Sequence, residues 1–337
     1  MKEKSFISRL NYNRIQNRRA RKVLKLVEQD SGKLSPGMRR LCDEYAHGVL
    51  GGREYSPWLQ VYAAVSGQFK EGWIPDNYYC LEVMPKQKGR YHSLSDFGTL
   101  SNSLFQVQNQ QNIATAVNGL FLGPDMQVMS QETLAERLFQ SGDRVVFKAD
   151  DSYQGKGIHI FHQDRFNMAD LTRLGDGLVE RFIEQHPLFD EFAPNSVATL
   201  RITTVVKDDG TVEARAAYLR LGVGEDTHVK TNSAIKVPID LRDGRFADVG
   251  YMANWRLTEK HPTSGKAIAG NRVPSFQACV DYVRELHTKL PFVRVIGWDL
   301  TVDKAGKPVF IEWNGGHNGI KFSEATTGPC FKDLNWH

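Results

Sequence analysis

Two stretches near the C-terminal end, IGWDLTV and PVFIEWNGG, set charged and polar groups inside otherwise apolar runs. The loop DKAGK joins them, so they read as a hairpin. Side chains alternate along a strand, which puts Glu312 and Asn314 on one face and Val309, Ile311 and Trp313 on the other. With Asp303 paired to Pro308 around a four-residue loop, Asp299 faces Glu312. Like charges about 5 Å apart on neighbouring strands repel. A divalent cation reconciles them, because Mg²⁺ takes a few carboxylate or carbonyl oxygens from protein and completes its octahedron with phosphates and water. The competing account is a solvent-facing polar stripe on an edge hairpin.

A second group lies upstream. Lys148 ends the strand-like RVVFK and is followed by a turn containing Ser152, Gln154, Gly155, Lys156 and Gly157. A strand lysine and a loop of small residues with free backbone N–H groups can cradle a polyphosphate. Taken alone the pattern equally fits a surface hairpin, and its weight comes from sharing a chain with the carboxylate pair. Glu180 sits in the apolar strand LVERFIEQHP, which could offer backbone groups to an adenine edge. Arg201 lies in ATLRITTVV, where polar and apolar residues alternate, and its guanidinium suits either a phosphate in a cleft or a cross-strand salt bridge.

Other motifs dissolve on inspection. GKG at 155–157 lacks Walker A spacing, since Asp150 and Gly157 stand where its first glycine and its Ser or Thr belong; His159 and Ile160 fall where the third glycine of a dinucleotide loop would be. Asp96-Phe97-Gly98 spells a kinase tripeptide without the catalytic loop that should precede it. The four cysteines form no CxxC pair, as in a reduced, cytoplasmic protein.

The elements that must position these residues fall into four stretches. Residues 1–75 read as a basic, mostly helical N-terminal region; 76–130 as alternating short strands and loops; 131–186 as a small lobe carrying the phosphate turn; and 187–337 as a large lobe carrying the carboxylates. Asp209-Gly210 marks a hairpin turn, and SFQACVDYVRELHTKL a helix. Strands and helices mix without regular alternation, so the fold class is α/β in the sense of two α+β lobes. The 337 residues suffice for two lobes, and no apolar run is long enough to span a membrane. The net charge of +4 divides unevenly: residues 1–40 hold twelve Lys or Arg against three Asp or Glu. That end could touch a peripheral membrane surface or an acidic partner, or simply be a solvated helical face; nucleic acid is not expected.

The order of these parts resembles the ATP-grasp superfamily, and in particular its sugar-transfer associated family. The closer resemblance rests on EQHPLFDEFAPNSVATLRITT, on LRLG followed by THVKTNSA, on HPTSGKAIAGNRVPSF and on IGWDLTVDKAGKPVFIEWNGG, within roughly residues 75–325. It implies two lobes clamping ATP with Mg²⁺, two ions by analogy and Mn²⁺ as a substitute. Lys148 and the turn from Ser152 to Gly157 would hold phosphates; Glu180 and the backbone of Phe182 and Ile183 would line the adenine; Asp299, Glu312 and Asn314 would bind metal. Arg201 and Asn232 would stand at the reacting centre.

Some family features are altered. Pro187 replaces a ribose-binding glutamate, which leaves His186 or Glu184 for that role, and an early ATP-contacting lysine has only Lys88 or Arg90 as substitutes. Ala234-Ile235 stands where two glycines are the rule. The implied activity is a carboxylate–amine ligase acting through an acyl phosphate on small-molecule carboxylate and amine substrates, in polysaccharide or related biosynthesis. A phosphotransferase and a nucleotide-binding scaffold are the alternatives.

Overall fold

The computed structural model describes residues 6–107, 111–150, 157–224 and 233–337. Six antiparallel strands form a small sheet: β1 Asn112–Val117, β2 Leu120–Leu122, β3 Val128–Met129, β4 Arg144–Ala149, β5 Ile158–His162 and β6 Gly177–Arg181, in the order β3-β2-β1-β6-β4-β5. This sheet draws strands from both sides of residue 130, so a division at that point falls inside it. The helix Gln131–Leu138, capped by the Ser130 hydroxyl accepting from Thr133 N (3.2 Å), covers one face. Leu134 and Leu138 pack there with Ile113, Val145, Phe147 and Val179.

Seven strands form the large sheet: β7 Thr199–Val206, β8 Val212–Leu221, β9 Ile235–Pro238, β10 Gly250–Tyr251, β11 Leu257–Thr258, β12 Val295–Val302 and β13 Pro308–Asn314. Their order is β11-β10-β9-β8-β7-β12-β13. Alternation sorts its faces. Leu200, Ile202, Ile296, Trp298, Leu300 and Val302 point into a core closed by the helix Phe276–Thr288. Val205, Tyr218 and Val295 belong to a second core on the opposite face, built from the N-terminal helices. These are α1 Phe6–Ser31, α2 Pro36–Gly48 and α3 Ser56–Ser66, with α3 packed on α1, α2 and the helix Lys321–Thr326. The N-terminal region is therefore a third layer fused to the large lobe. Among the described residues no helix is long and apolar enough to cross a membrane.

The segment expected to open a run of short strands is helical. Residues 76–88 form a continuous coil with one π-helical turn at Tyr79–Val83, and residues 91–105 continue in short helical turns. Asp76, Asn77, Tyr79, Leu81 and Val83 are all buried. A helix enclosed on every side loses the apolar stripe that betrays it in sequence, and its aromatic and β-branched content then mimics a strand.

Candidate active site

The β12–β13 hairpin does set Asp299 opposite Glu312, by two compensating departures from the simple hairpin. The turn closes one residue early: Asp303 N donates to Lys307 O (2.9 Å), its carboxylate accepts from Ala305 N and Lys307 N, and Gly306 takes φ +80°. Val302 therefore pairs with Pro308. A bulge at Ile311 then restores the register, so Leu300 faces Phe310 while Asp299 still faces Glu312. The bulge also corrects the expected core face, since Phe310 rather than Ile311 joins Trp313 in the core.

On the other side of Asp299, across β7, stands Arg201. Its Nε and Nη2 grip the two carboxylate oxygens, the latter at 2.7 Å, and Nη1 donates to Asn318 O (3.1 Å). The cross-strand salt bridge is thus what the arginine forms. Arg220, on β8 and two residues beyond the Tyr218 that faces Arg201, adds an ion pair to Asp299 Oδ2. Its buried Nε finds no acceptor among the described residues. Gly297 makes room for this cluster: a Cβ there would lie 2.8 Å from Asn318 Cβ and 3.3 Å from Arg201 Cδ and Nη1.

The row polarises its two carboxyls in opposite directions. Burial alone would raise the Asp299 pKa, but the two guanidinium charges hold it well below the ordinary carboxylate range. Glu312 goes the other way, pushed up to about 7 by desolvation in the cleft, by the Asp299 charge and by a hydrogen bond to that carboxylate. Its side chain still reaches solvent. Among the described residues the Asp299 charge is met by the two guanidinium groups and by a hydrogen bond with Glu312. A carboxylate has about four lone-pair positions, and those of Asp299 are taken by three N–H donors and Glu312. The donor set Asp299, Glu312 and Asn314 fits a hard dication through oxygen. Glu312 and the Asn314 carbonyl are the accessible members; the Asn314 amide faces Gly297 O (3.4 Å). Asp299 would join such a set only if Arg220 yielded a position on Oδ2.

In the small lobe, Lys148 and Glu180 form an ion pair of 2.5 Å. Lys148 faces Leu178 and Val146 faces Glu180, so the two charges are diagonal neighbours on one sheet face. Glu180 is buried behind the lysine. Gly157 accepts from Ala149 N (2.9 Å) at the base of the turn; Ser152, Gln154, Gly155 and Lys156 lie outside the described residues, as does Asn232. Phe182 and Ile183 follow the end of β6, with Phe182 under the Arg144 guanidinium at 3.9 Å and Ile183 buried. His186 caps the next helical turn, its Nδ1 accepting from Leu188 N (3.1 Å), while Glu184 is ion-paired with Lys304. Lys148 and Glu180 thus belong to one sheet and Arg201, Asp299, Glu312 and Asn314 to the other, with residues 182–186 as the connection.

Further groups gather around the loop after Asn314, among them Lys88, one of the two candidates for the early ATP-contacting lysine. Lys88 is buried and donates to the Gly316 carbonyl and to Asn318 Oδ1 (3.3 Å), with its pKa pushed down to about 7 by burial. Tyr79 Oη donates to the same Asn318 oxygen (2.6 Å). Asp76 accepts from His317 Nε2 (3.1 Å) and Lys321 Nζ (3.3 Å), and that buried carboxylate drives the His317 pKa up to about 10 against the effect of burial. Cys80 lies within 4.8 Å of this group, but an imidazolium offers donors rather than a metal-ligand lone pair. The N-terminal layer therefore clamps the loop after Asn314. Lys236, opposite Arg220 on β9, is pushed down to about 8 by burial and by Lys321, Arg220 and Arg201. Lys236, Arg220 and Arg201 thus lie side by side on neighbouring strands against the single carboxylate of Asp299.

A family model described as sugar-transfer associated ATP-grasp matches residues 102–334. No curated protein matches the chain in sequence. Among solved structures it is similar to an N5-carboxyaminoimidazole ribonucleotide synthetase in complex with ADP, at 10% identity and a TM-score of 0.40, covering 80% of this chain and 58% of that one. It is also similar to a biotin carboxylase–β,γ-ATP complex from Campylobacter jejuni, at 11% identity and TM-score 0.45, covering 94% and 67%. An L-amino acid ligase from Bacillus licheniformis gives 12% identity and TM-score 0.35, covering 79% and 47%. The chain thus spans less than two thirds of the first of these.

Proposed function

Because the chain belongs to the sugar-transfer associated ATP-grasp family, we propose that it is an ATP-dependent carboxylate–amine ligase. A carboxylate oxygen of one substrate attacks the γ-phosphorus of ATP, ADP leaves, and an amine then attacks the resulting acyl phosphate, expelling phosphate and forming an amide. The observation that carries this reading is the charged row Arg220–Arg201–Asp299–Glu312 across adjacent strands, buried at Arg201 and Asp299 and open to solvent at Glu312, with Asn314 beside it.

Lys148, oriented by Glu180, is the cation for the α and β phosphates. Arg220 is suited to an anionic oxygen because its buried Nε–H has no acceptor among the described residues. Arg201 holds Asp299 in place, and the family resemblance assigns Arg201 and Asn232 to the reacting centre. Glu312, Asn314 and Asp299 would hold Mg²⁺, which when bound offsets charge on the transferring phosphoryl group. Lys236, beside Arg220, stays mostly protonated near neutral pH although burial lowers its pKa to about 8, and so favours a carboxylate substrate over a neutral one. The family's association with sugar transfer supports an amino acid or sugar acid as substrate, in polysaccharide or related biosynthesis in the cytoplasm.

The test is incubation with Mg-ATP, a panel of amino acids and uronic acids, and hydroxylamine. Acceptor-dependent ADP with a hydroxamate is expected. A phosphorylated hydroxyl with no hydroxamate would replace the ligase by a phosphotransferase, and no ADP with any acceptor would leave a nucleotide-binding scaffold.

A further inference from the structure

The inward face of α1 is fixed: Asn13, Gln16, Ala20, Leu24 and Val27 are buried against the second core. At about 100° per residue these positions centre on one side of the helix. The opposite side carries Arg14, Arg18, Arg21, Lys22 and Lys25, all exposed and together lining one shallow groove. They follow each other over roughly 16 Å at 1.5 Å rise per residue. From Phe6 to Val27 the helix contains no Asp or Glu, and among the described residues none of the five cations is ion-paired. Arg9, by contrast, is paired with Glu82, and the helix's two acids, Glu28 and Asp30, are paired with Arg39 and Arg256.

The same outward side continues toward the helix start as aliphatic surface. Ile7 is 69% exposed and Leu10 53%, while Ile15, 52% exposed, lies among the cations between Arg14 and Arg18. An array of unpaired cations with bulky aliphatic side chains at one end matches a membrane interface, where phosphate headgroups neutralise the first and the acyl boundary takes up the second. A nucleic acid would neutralise the cations but leave the aliphatic residues in water, and this face offers no aromatic ring for a base to stack on. A second copy of the chain is disfavoured too, because the acids outside residues 1–40 outnumber the bases by only five over nearly three hundred residues.

We propose that the outward face of α1 docks on an anionic lipid surface, with Arg14, Arg18, Arg21, Lys22 and Lys25 on the headgroups and Ile7 and Leu10 at the acyl boundary. The catalytic lobes would then work beside a membrane without entering it, whatever reaction they carry out.

Flotation of the full chain with phosphatidylcholine vesicles, and with vesicles in which about one third of the lipid is phosphatidylglycerol, tests this. Binding at least tenfold tighter to the anionic vesicles is expected, weakening steeply as salt rises from roughly 0.1 M to 0.5 M. Arg14→Glu/Arg18→Glu/Arg21→Glu should abolish it with helical circular dichroism unchanged. Ile7→Ser/Leu10→Ser keeps every charge and should leave measurably weaker binding at the higher salt. Equal recovery with both vesicle types overturns the proposal without reference to any variant. So does binding that is insensitive to Ile7→Ser/Leu10→Ser and fully displaced by a DNA duplex, which would assign the face to a nucleic acid.

Discussion

Arg201 and Asp299 stand directly opposite each other on neighbouring strands, and the guanidinium takes both carboxylate oxygens. The pair is buried, so each charge depends on the other. Arg220 reaches the same carboxylate from one strand further out and brings a second cation to an anion that Arg201 has already neutralised. That surplus charge is what an incoming anion would meet, and it competes with any metal ion for Asp299.

The competition gives the first prediction. In Arg220→Met, one oxygen position of Asp299 is released while Arg201 still holds the side chain. Mg²⁺ binding in the absence of nucleotide should tighten about fivefold, close to 1 kcal/mol. The KM for ATP should rise at the same time, because the free Nε donor is gone. Isothermal titration with Mg²⁺ and steady-state ADP release measure the two. Weaker Mg²⁺ binding would show that Asp299 is not limited by Arg220.

Glu312→Gln keeps the size and hydrogen-bonding reach of the side chain but removes its capacity for negative charge. Turnover should fall by about a hundredfold or more, the scale for losing one electrostatic contact to a transition state. The protein should remain folded by circular dichroism, since a neutral amide opposite Asp299 relieves repulsion. Unchanged turnover would remove Glu312 from the metal set.

How much of this the sequence carries can be judged residue by residue. Strand alternation sets Asp299 and Glu312 face to face even though the turn is one residue shorter than a four-residue loop and Ile311 bulges, because the two offsets cancel. The Asp209-Gly210 hairpin is equally local: Gly210 adopts φ +83° and Asp209 accepts from Thr211 N (2.9 Å). Arg220 and Lys236 lay out of reach because their relevance depends on β9, β8, β7, β12 and β13 lying side by side, an order set by non-local pairing. The clamp of Tyr79, Lys88 and Asp76 on residues 316–321 was hidden for a related reason. Its partners are more than two hundred residues apart, and its helix is buried on all sides.

Gly297→Ala probes the packing behind the row. The added methyl would sit 2.8 Å from Asn318 Cβ, which belongs to a loop held by Tyr79, Lys88 and Arg201 and so has little freedom to retreat. Overpacking of this kind costs about 1–3 kcal/mol. Urea unfolding should show that loss, with ADP release reduced as Arg201 is displaced. A variant as stable and active as the parent would mean the loop yields freely.

A last prediction concerns pH and the far side of β12. His287 is buried in the large-lobe core, its Nε2 facing Val293 O (2.8 Å) and its Nδ1 facing Thr204 Oγ1 (2.6 Å). The carbonyl requires the proton on Nε2, so Nδ1 accepts from the Thr204 hydroxyl, which in turn accepts from Trp298 Nε1 (2.7 Å). Burial pushes the His287 pKa down to about 4, against the opposing effect of the Val293 carbonyl. An unfolded histidine binds its proton near pH 6.5, so between about 6.5 and 4 the unfolded chain holds more protons than the folded one. Stability from this residue is therefore complete above about pH 6.5 and drains away as the pH falls to about 4, by on the order of 3 kcal/mol. Glu324, pushed up to about 7 by burial, acts in the opposite sense over an overlapping range, so the raw curve mixes the two. Chemical denaturation of the parent and of His287→Phe from pH 7 to 4 separates them. The variant should be less stable at pH 7, having lost both hydrogen bonds, and the gap should close as the pH falls; a gap that stays constant would mean that His287 takes up its proton as readily folded as unfolded.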